Sequence, residues 1–270
     1  MPRSGRHHLL STISPRLHPA AATLRSVATR SRPPRRPLLC ELHAHSTWSD
    51  GELGLADLAG LYGARGFDVL AITDHVVRAD DASSHAVGEH AFAAYLEAIG
   101  GVAERALRDH GMLVIPGLEL TYSDEDPDAA VHAVAVGLRR YVGVDGGPRA
   151  AMAEARAAGA AIIAAHPHSD ELDPTPGRTT RGVYADPTHM RELVDRYELV
   201  NRHDVFAWVA QERLPSVACG DAHLPEHVFT WKTLLPCEQN EAEVTAYLRS
   251  AAPAHLTRVD APAAAAAHAA

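Results

Sequence analysis

No stretch of this 270-residue sequence approaches the roughly 20 consecutive apolar residues that a membrane span needs, although 46% of the chain is apolar. A membrane role is therefore not expected. Cysteine is scarce. Cys40, Cys219 and Cys237 are odd in number and lack Cys-x-x-Cys spacing, which argues against a disulfide framework or a zinc ribbon. Buried packing in a reducing cytoplasm is the expected role. Acidic residues are missing from residues 1–37, where all eight basic residues are Arg; the rest of the chain carries 17 Lys plus Arg against 34 Asp plus Glu, a net charge near −17. So acidic a body argues against the basic face by which proteins hold long nucleic acids. A small phosphorylated molecule or a short nucleotide stays compatible, because bound divalent cations would offset charge locally. Oligomeric state is not legible.

Residues 1–37 mix Arg, Ser, Pro and His without hydrophobic periodicity and read as a disordered Arg-rich extension. A transit peptide or a nucleic-acid-binding arm are the alternatives. Residues 259–270 read as a low-complexity Ala-rich tail, leaving one domain over 38–258. Within it, seven apolar runs predict strands, at 38–42, 69–73, 113–115, 131–136, 161–165, 198–200 and 216–219. Amphipathic stretches predict helices at 56–64, 89–109, 148–158, 188–196, 205–212 and 241–249. Gly66, Gly111 and Gly159 stand where C-terminal caps belong. The alternation implies an α/β fold with a parallel sheet, closed into a barrel or left open.

Most of these strands run into side chains that bind metals. The first leads to His43-Ala44-His45, the second to Asp74-His75, the third to Glu119, the fifth to His166-Pro167-His168 and the seventh to Asp221-Ala222-His223, while the fourth contains His132. Each has a plain alternative. Asp74 and His75 suit a cap, Glu119 a solvated loop after Pro116-Gly117-Leu118, His132 a core histidine, and Asp221 a turn after Gly220. Together they point to one pocket, because parallel strands converge at their C-terminal ends. Burying so many carboxylates and imidazoles without a counter-cation would be costly. Imidazole and carboxylate without thiolate suit two or three divalent ions of manganese, zinc or iron, and disfavour a structural zinc site or a calcium cage. Metal pairs of this kind serve phosphoester hydrolysis.

The motifs His43-Ala44-His45-Ser46-Thr47-Trp48-Ser49-Asp50-Gly51, Ile72-Thr73-Asp74-His75, Pro116-Gly117-Leu118-Glu119, Ala165-His166-Pro167-His168 and Gly220-Asp221-Ala222-His223 together resemble the PHP family, the polymerase and histidinol phosphatase superfamily. The resemblance spans about residues 38 to 235. It implies a distorted (β/α)7 barrel with a metal cluster at the C-terminal ends of the strands. It further implies a first ion on His43, His45, Glu119 and Asp221, a second on Glu119, His132 and His166, and a third on Asp50, His75 and His223. Asp50, His75, Glu119 and Asp221 would be the catalytic set. Arg202 and His168 would contact substrate, Arg202 because a guanidinium offers a planar donor pair to phosphate. The Ser-Asp-Gly form at Asp50 resembles the branch acting on nucleoside monophosphates, 3',5'-bisphosphates and RNA 5' ends, although the short segment from His132 to His166 leaves no room for that branch's inserted domain.

The sequence thus predicts a cytoplasmic, metal-dependent hydrolase of phosphate esters, foremost a phosphomonoesterase on a small metabolite or nucleotide. A 5'-to-3' exonuclease on short RNA and a non-catalytic module that binds phosphate ligands are the alternatives. Since residues 1–37 offer no ligand and no periodicity, deleting them is expected to leave activity and melting temperature nearly unchanged. A large loss of either would show that the arm docks on the acidic body.

Overall fold

The computed structural model describes residues 36–81, 85–170 and 179–261. The expected arm and Ala-rich tail fall outside these residues except at their inner edges. There Arg36 makes a bidentate contact with Asp68, which also accepts from the Leu39 amide. Among the described residues no helix is long and apolar enough to cross a membrane.

The seven predicted runs are seven strands of one curled sheet: β1 (Leu38–Glu41), β2 (Val69–Ile72), β4 (Leu113–Tyr122), β5 (Val131–Val136), β6 (Ala161–Ala164), β7 (Arg196–Asn201) and β9 (Ser216–Cys219). Between them lie two-residue β3 (His75–Val76) and β8 (Asp204–Val205). Two strands not foreseen, β10 (Trp231–Leu235) and β11 (His255–Arg258), extend the sheet beyond β1. The helices are α1 (Leu55–Gly63), α2 (Phe92–His110), α3 (Pro148–Ala157), the short α4 (Gly182–Ala185), α5 (Pro187–Met190) and α6 (Ala207–Gln211), and α7 (Glu241–Arg249). Gly66, Gly111 and Gly159 all take positive φ after their helices, as C-terminal caps do. The helix expected at 188–196 is instead α5 and a single 3-10 turn, because the chain must already be extended at Arg196 to enter β7.

The expectation of an all-parallel sheet needs correction. β1, β2 and β4 pair in parallel, as do β6, β7 and β9, but β5 runs antiparallel to both neighbours, β4 and β6. The eight residues between β4 and β5 are too few for the crossover that a parallel pair requires. The third strand also runs further than its apolar segment, through Pro116 and Gly117 to Tyr122. Proline is tolerated where β4 changes partner: Pro116 is the last residue in register with β2, and its carbonyl accepts from the Gly137 amide.

Alternation along the strands puts Ile115, Val134, Val136, Val217 and Cys219 in one apolar cluster on one face of the sheet. Residues of the same parity further along, Glu119, His132 and Asp221, therefore point to that side at the mouth. All three cysteines are free and buried, as expected. The curl closes where the segments beyond β1 and β9 meet. The His45 amide donates to the Ala222 carbonyl and the Ala222 amide to the His43 carbonyl, while the Thr233 side chain of β10 bonds both the amide and the carbonyl of Ala218.

A buried ion pair underlies this closure. Lys232, the only lysine in the sequence, is fully buried, and its ammonium donates to Glu41 Oε2 at 2.5 Å, the His227 carbonyl at 2.9 Å and Thr230 Oγ1 at 2.8 Å. Three donors thus meet three acceptors, a match that a compact ammonium makes and a planar guanidinium does not. Glu41 Oε1 accepts from the amides of Leu42, His43 and Gly220. A Cβ on Gly220 would lie 2.2 Å from Lys232 Nζ and 2.3 Å from Glu41 Oε2, so this glycine makes room for the pair. Replacing Lys232 with Met would leave the Glu41 carboxylate buried without its cation. That change is expected to cost about 3–5 kcal/mol, read as a lowered urea midpoint.

Candidate metal centre

Nine side chains from separate segments gather at one end of the sheet. His43 and His45 follow β1, where flanking hydrogen bonds to Ala222 and to Thr73 keep the segment extended. Extended backbone turns residues two apart to the same side, so both imidazoles face the carboxylate of Glu119. Glu119 lies within β4 and is buried, which overturns the reading of a solvated loop carboxylate. Its Oε2 is 3.2 Å from His43 Nε2, 3.4 Å from His45 Nε2 and 2.9 Å from His75 Nδ1. Its Oε1 is 3.2 Å from His132 Nδ1 and 3.5 Å from His166 Nε2. One carboxylate therefore touches five imidazoles. His132 is the second residue of β5, and because β5 runs against its neighbours, its beginning lies beside their ends.

Asp221 Oδ1 lies 3.6 Å from His43 Nε2, 3.5 Å from His45 Nε2 and 3.2 Å from His223 Nδ1. Asp50 Oδ1 lies 3.3 Å from His75 Nε2 and 3.2 Å from His223 Nε2. The turn that carries Asp50 is organised by Asp74, which accepts from the Ser46 amide and hydroxyl and from the Ser49 hydroxyl. Asp74 thus caps this turn and not a following helix. Exposure rises outward. The side chains of His43, His45, Glu119 and Asp221 are at most 5% exposed, against 13% for His75, 20% for His223 and 48% for Asp50. The cluster is accordingly open on its Asp50 side.

These residues fall into three groups whose ligand atoms lie within 4.8 Å of one another: His45, Asp50, His75 and His223; His43, His45 and Asp221; and Glu119, His132 and His166. The buried atoms His45 Nε2, Glu119 Oε1, His132 Nδ1 and His166 Nδ1 form no hydrogen bond, although two of them, Glu119 Oε1 and His132 Nδ1, lie 3.2 Å apart. Buried polar atoms left unpaired are costly, and close approach without hydrogen-bond alignment suits ligands turned toward a shared cation. The donor set, nitrogen and oxygen only, fits divalent metal ions.

Electrostatics of the side chains alone tell the same story. Burial holds the His45 imidazole down, to about 3, with His75 and His223 adding repulsion; their rings lie 4.3 and 4.1 Å from its own. Burial also opposes the charged form of His75, but Glu119 and Asp50 outweigh it and raise the group to about 10. His223 rises to about 9, Asp221 and Asp50 overcoming its burial. Burial works against ionised Glu119 and Asp221 as well, yet the surrounding histidines hold both carboxyls well below the usual range. The fold thus keeps anions and imidazoles together where a cation would relieve them.

Arg202 and His168 are placed differently. Arg202, in the left-handed region at φ 50° after β7, lies at the mouth with its side chain one-third exposed. Its Nε donates to the Asp221 carbonyl, and its Nη2 lies 3.0 Å from Asp221 Oδ2 and 3.1 Å from His223 Nδ1. His168 packs its ring against Tyr184 and bonds Asp170 through Nε2, and its ring is thus turned to partners outside the nine-residue cluster. Glu198, which sequence reasoning passed over, is fully buried beside the cluster, 2.9 Å from His43 Nδ1. The only signal for it was a carboxylate at the head of an apolar run.

No protein-family model and no curated protein matches this sequence. Solved structures do. A two-domain protein from Bacteroides vulgatus containing a predicted PHP-like metal-dependent phosphoesterase superposes with a TM-score of 0.60 at 18% identity, covering 84% of this chain and 68% of that one. The chain shares the fold of that protein. A candidate metal-dependent phosphoesterase from Bifidobacterium adolescentis gives a TM-score of 0.46 at 16% identity, over 72% of this chain and 90% of that one. In the curled sheet described here, three potential metal groups stand at the strand ends, the position that the sequence motifs imply.

With divalent ions chelated, the raised histidines set a pH dependence. Their folded values, about 10 for His75 and about 9 for His223, exceed the usual 6.5. Their stabilisation is therefore complete below pH 6.5 and is lost as pH rises through 9 to 10. The melting temperature of chelated protein is expected to fall across that window, and to fall less in His75→Gln. Equal slopes in the two proteins would contradict the assignment.

Proposed function

We propose that this protein is a metal-dependent phosphoesterase, acting as a phosphomonoesterase on a small phosphorylated metabolite or nucleotide. The observation that carries the reading is the convergence of nine His, Asp and Glu side chains into three groups, two of which share His45, at the open end of a fold shared with a predicted PHP-like phosphoesterase. In this reading His43, His45, Glu119 and Asp221 hold one ion, Glu119, His132 and His166 a second, and Asp50, His75 and His223 a third. His45 also borders the third group. Zinc, manganese and iron all suit the donors. Divalent ions at such a centre supply Lewis acidity toward phosphoryl oxygens and positive charge to match a phosphate ester.

The chain's own residues provide the rest. Glu119 bridges two groups and fixes their spacing through its two oxygens. Asp50, His75, Glu119 and Asp221 form the catalytic set, with Asp50 and His75 on the side open to substrate. Arg202 stands beside His223 at the same mouth, where its guanidinium can contact a substrate phosphate while Asp221 holds it in place. His168, turned to Tyr184 and Asp170, is the weaker of the two substrate-contact candidates. An acidic body favours a small substrate over a long polyanion.

Phosphate release from a panel of metabolite and nucleotide monoesters, with manganese or zinc added and metal content measured on the same preparation, tests the reading. Absence of release across the panel would count against it. Liberation of mononucleotides from a 5'-phosphorylated oligonucleotide would redirect it to exonuclease action. Asp50→Asn is expected to keep the fold and the ions around Glu119 while turnover falls by about 10² or more. Glu119→Gln is expected to empty both groups it joins and to lower stability as well. Full metal content and normal turnover in Asp50→Asn would reduce Asp50 to a turn residue.

A further inference from the structure

Glu198 contributes no atom to any of the three ligand groups, yet it connects two of them. Its Oε1 lies 2.9 Å from His43 Nδ1, and its Oε2 accepts from the His166 backbone amide at 2.7 Å and from Asn201 Nδ2 at 2.7 Å. A carboxylate only accepts, so His43 Nδ1 carries a hydrogen toward Glu198. A metal ion bound at Nε2, the atom facing Glu119 and Asp221, would take the place of that nitrogen's hydrogen. His166 is held at a φ of 30°, in the left-handed region, and its amide bond to Glu198 is one of the contacts that fix this unusual backbone.

The local backbone aims Glu198 at both partners. Along β7 and β9, Glu198 pairs with Val217 and Val200 with Ala218, so Leu199 is an extra residue, a β-bulge immediately after Glu198. Bulges beside active sites commonly redirect a side chain. Here the bulge accompanies a fully buried carboxylate that reaches a ring after β1 and an amide after β6.

We propose that Glu198 is a positioning residue of the metal centre: it fixes the His43 tautomer and the His166 backbone together, setting the register between the His43–His45–Asp221 group and the Glu119–His132–His166 group. The inference rests on the metal-centre reading above. Groups that orient a ligating histidine usually change metal affinity by about 10- to 100-fold when replaced. Glu198→Gln keeps size and shape but offers one accepting oxygen and one donating nitrogen to three donors. Whichever way the amide turns, either the His43 tautomer or the His166 amide contact is lost.

Zinc and manganese affinity, measured by chelator competition on purified full-length protein, is the test, read beside the rise in melting temperature on metal addition. Glu198→Gln is expected to bind about 10- to 100-fold more weakly and to show a smaller metal-induced rise. A lowered melting temperature without metal, accompanied by unchanged affinity and an unchanged rise, would make Glu198 merely structural and overturn the proposal. Should Glu198→Gln not fold, Glu198→Asp, which keeps the charge but withdraws it from His43, is judged by the same two measurements. If wild-type protein itself binds neither ion, the metal-centre reading fails. If wild type binds and the variant binds equally well, only the role of Glu198 fails.

Discussion

Glu119 is the point on which the rest of this structure turns. Five imidazoles from five places in the sequence approach its two oxygens, and the carboxylate is buried. Burying an anion is unfavourable unless it is matched by charge and directed contacts, and imidazoles are a partial match because each can be neutral. Packing them closely introduces a second conflict, seen in His45, which its histidine neighbours and its burial hold in the neutral form. A centre so arranged holds carboxylates against crowded rings and leaves His45 Nε2, Glu119 Oε1, His132 Nδ1 and His166 Nδ1 buried without a hydrogen bond. Cations satisfy both sides.

Such a cluster needs a rigid frame, and the frame is itself polar. Beneath it, Lys232 donates to Glu41, to the His227 carbonyl and to Thr230, while Glu41 gathers the amides of Leu42, His43 and Gly220. Beside it, Asp74 ties the Ser46–Ser49 turn and so sets where Asp50 stands. Backbone strain collects here too. Of the four non-glycine residues with positive φ among those described, His166, Arg202 and Asp221 belong to the centre or its rim. Left-handed backbone for such residues persists where surrounding contacts over-determine it: the His166 amide donates to Glu198, the Arg202 amide to the Cys219 carbonyl, and the Asp221 carbonyl accepts from Arg202 Nε.

How much of this was legible in the sequence follows from the kind of signal each feature leaves. Continuous apolar runs such as Val69 to Ile72 and Val131 to Val136 announce buried strands, and all seven were found. β10 was not, because Lys232 and Thr233 interrupt its apolar character at positions that are in fact buried. β4 was cut short at Pro116, where proline usually stops a strand; its change of partner at that point is a tertiary fact. The shortness of the link before β5, and with it the reversal of that strand, is visible only once β4 is seen to run on to Tyr122.

The sequence by itself determined which residue types could form a metal centre and that strand ends would present them, since His-x-His spacing and terminal carboxylates follow from strand periodicity and from the convergence of parallel strands. It also led to the expectation that the three cysteines are buried, as they are. Only the tertiary structure decided that His132 enters the centre at the start of an antiparallel strand, that Gly220 is small because Glu41 and Lys232 fill the space beside it, and that Glu198 joins two ligand groups. Each of these depends on contacts between residues far apart in the chain. Such contacts leave no local pattern, because the physical constraint lies in the partner and not in the neighbouring residues.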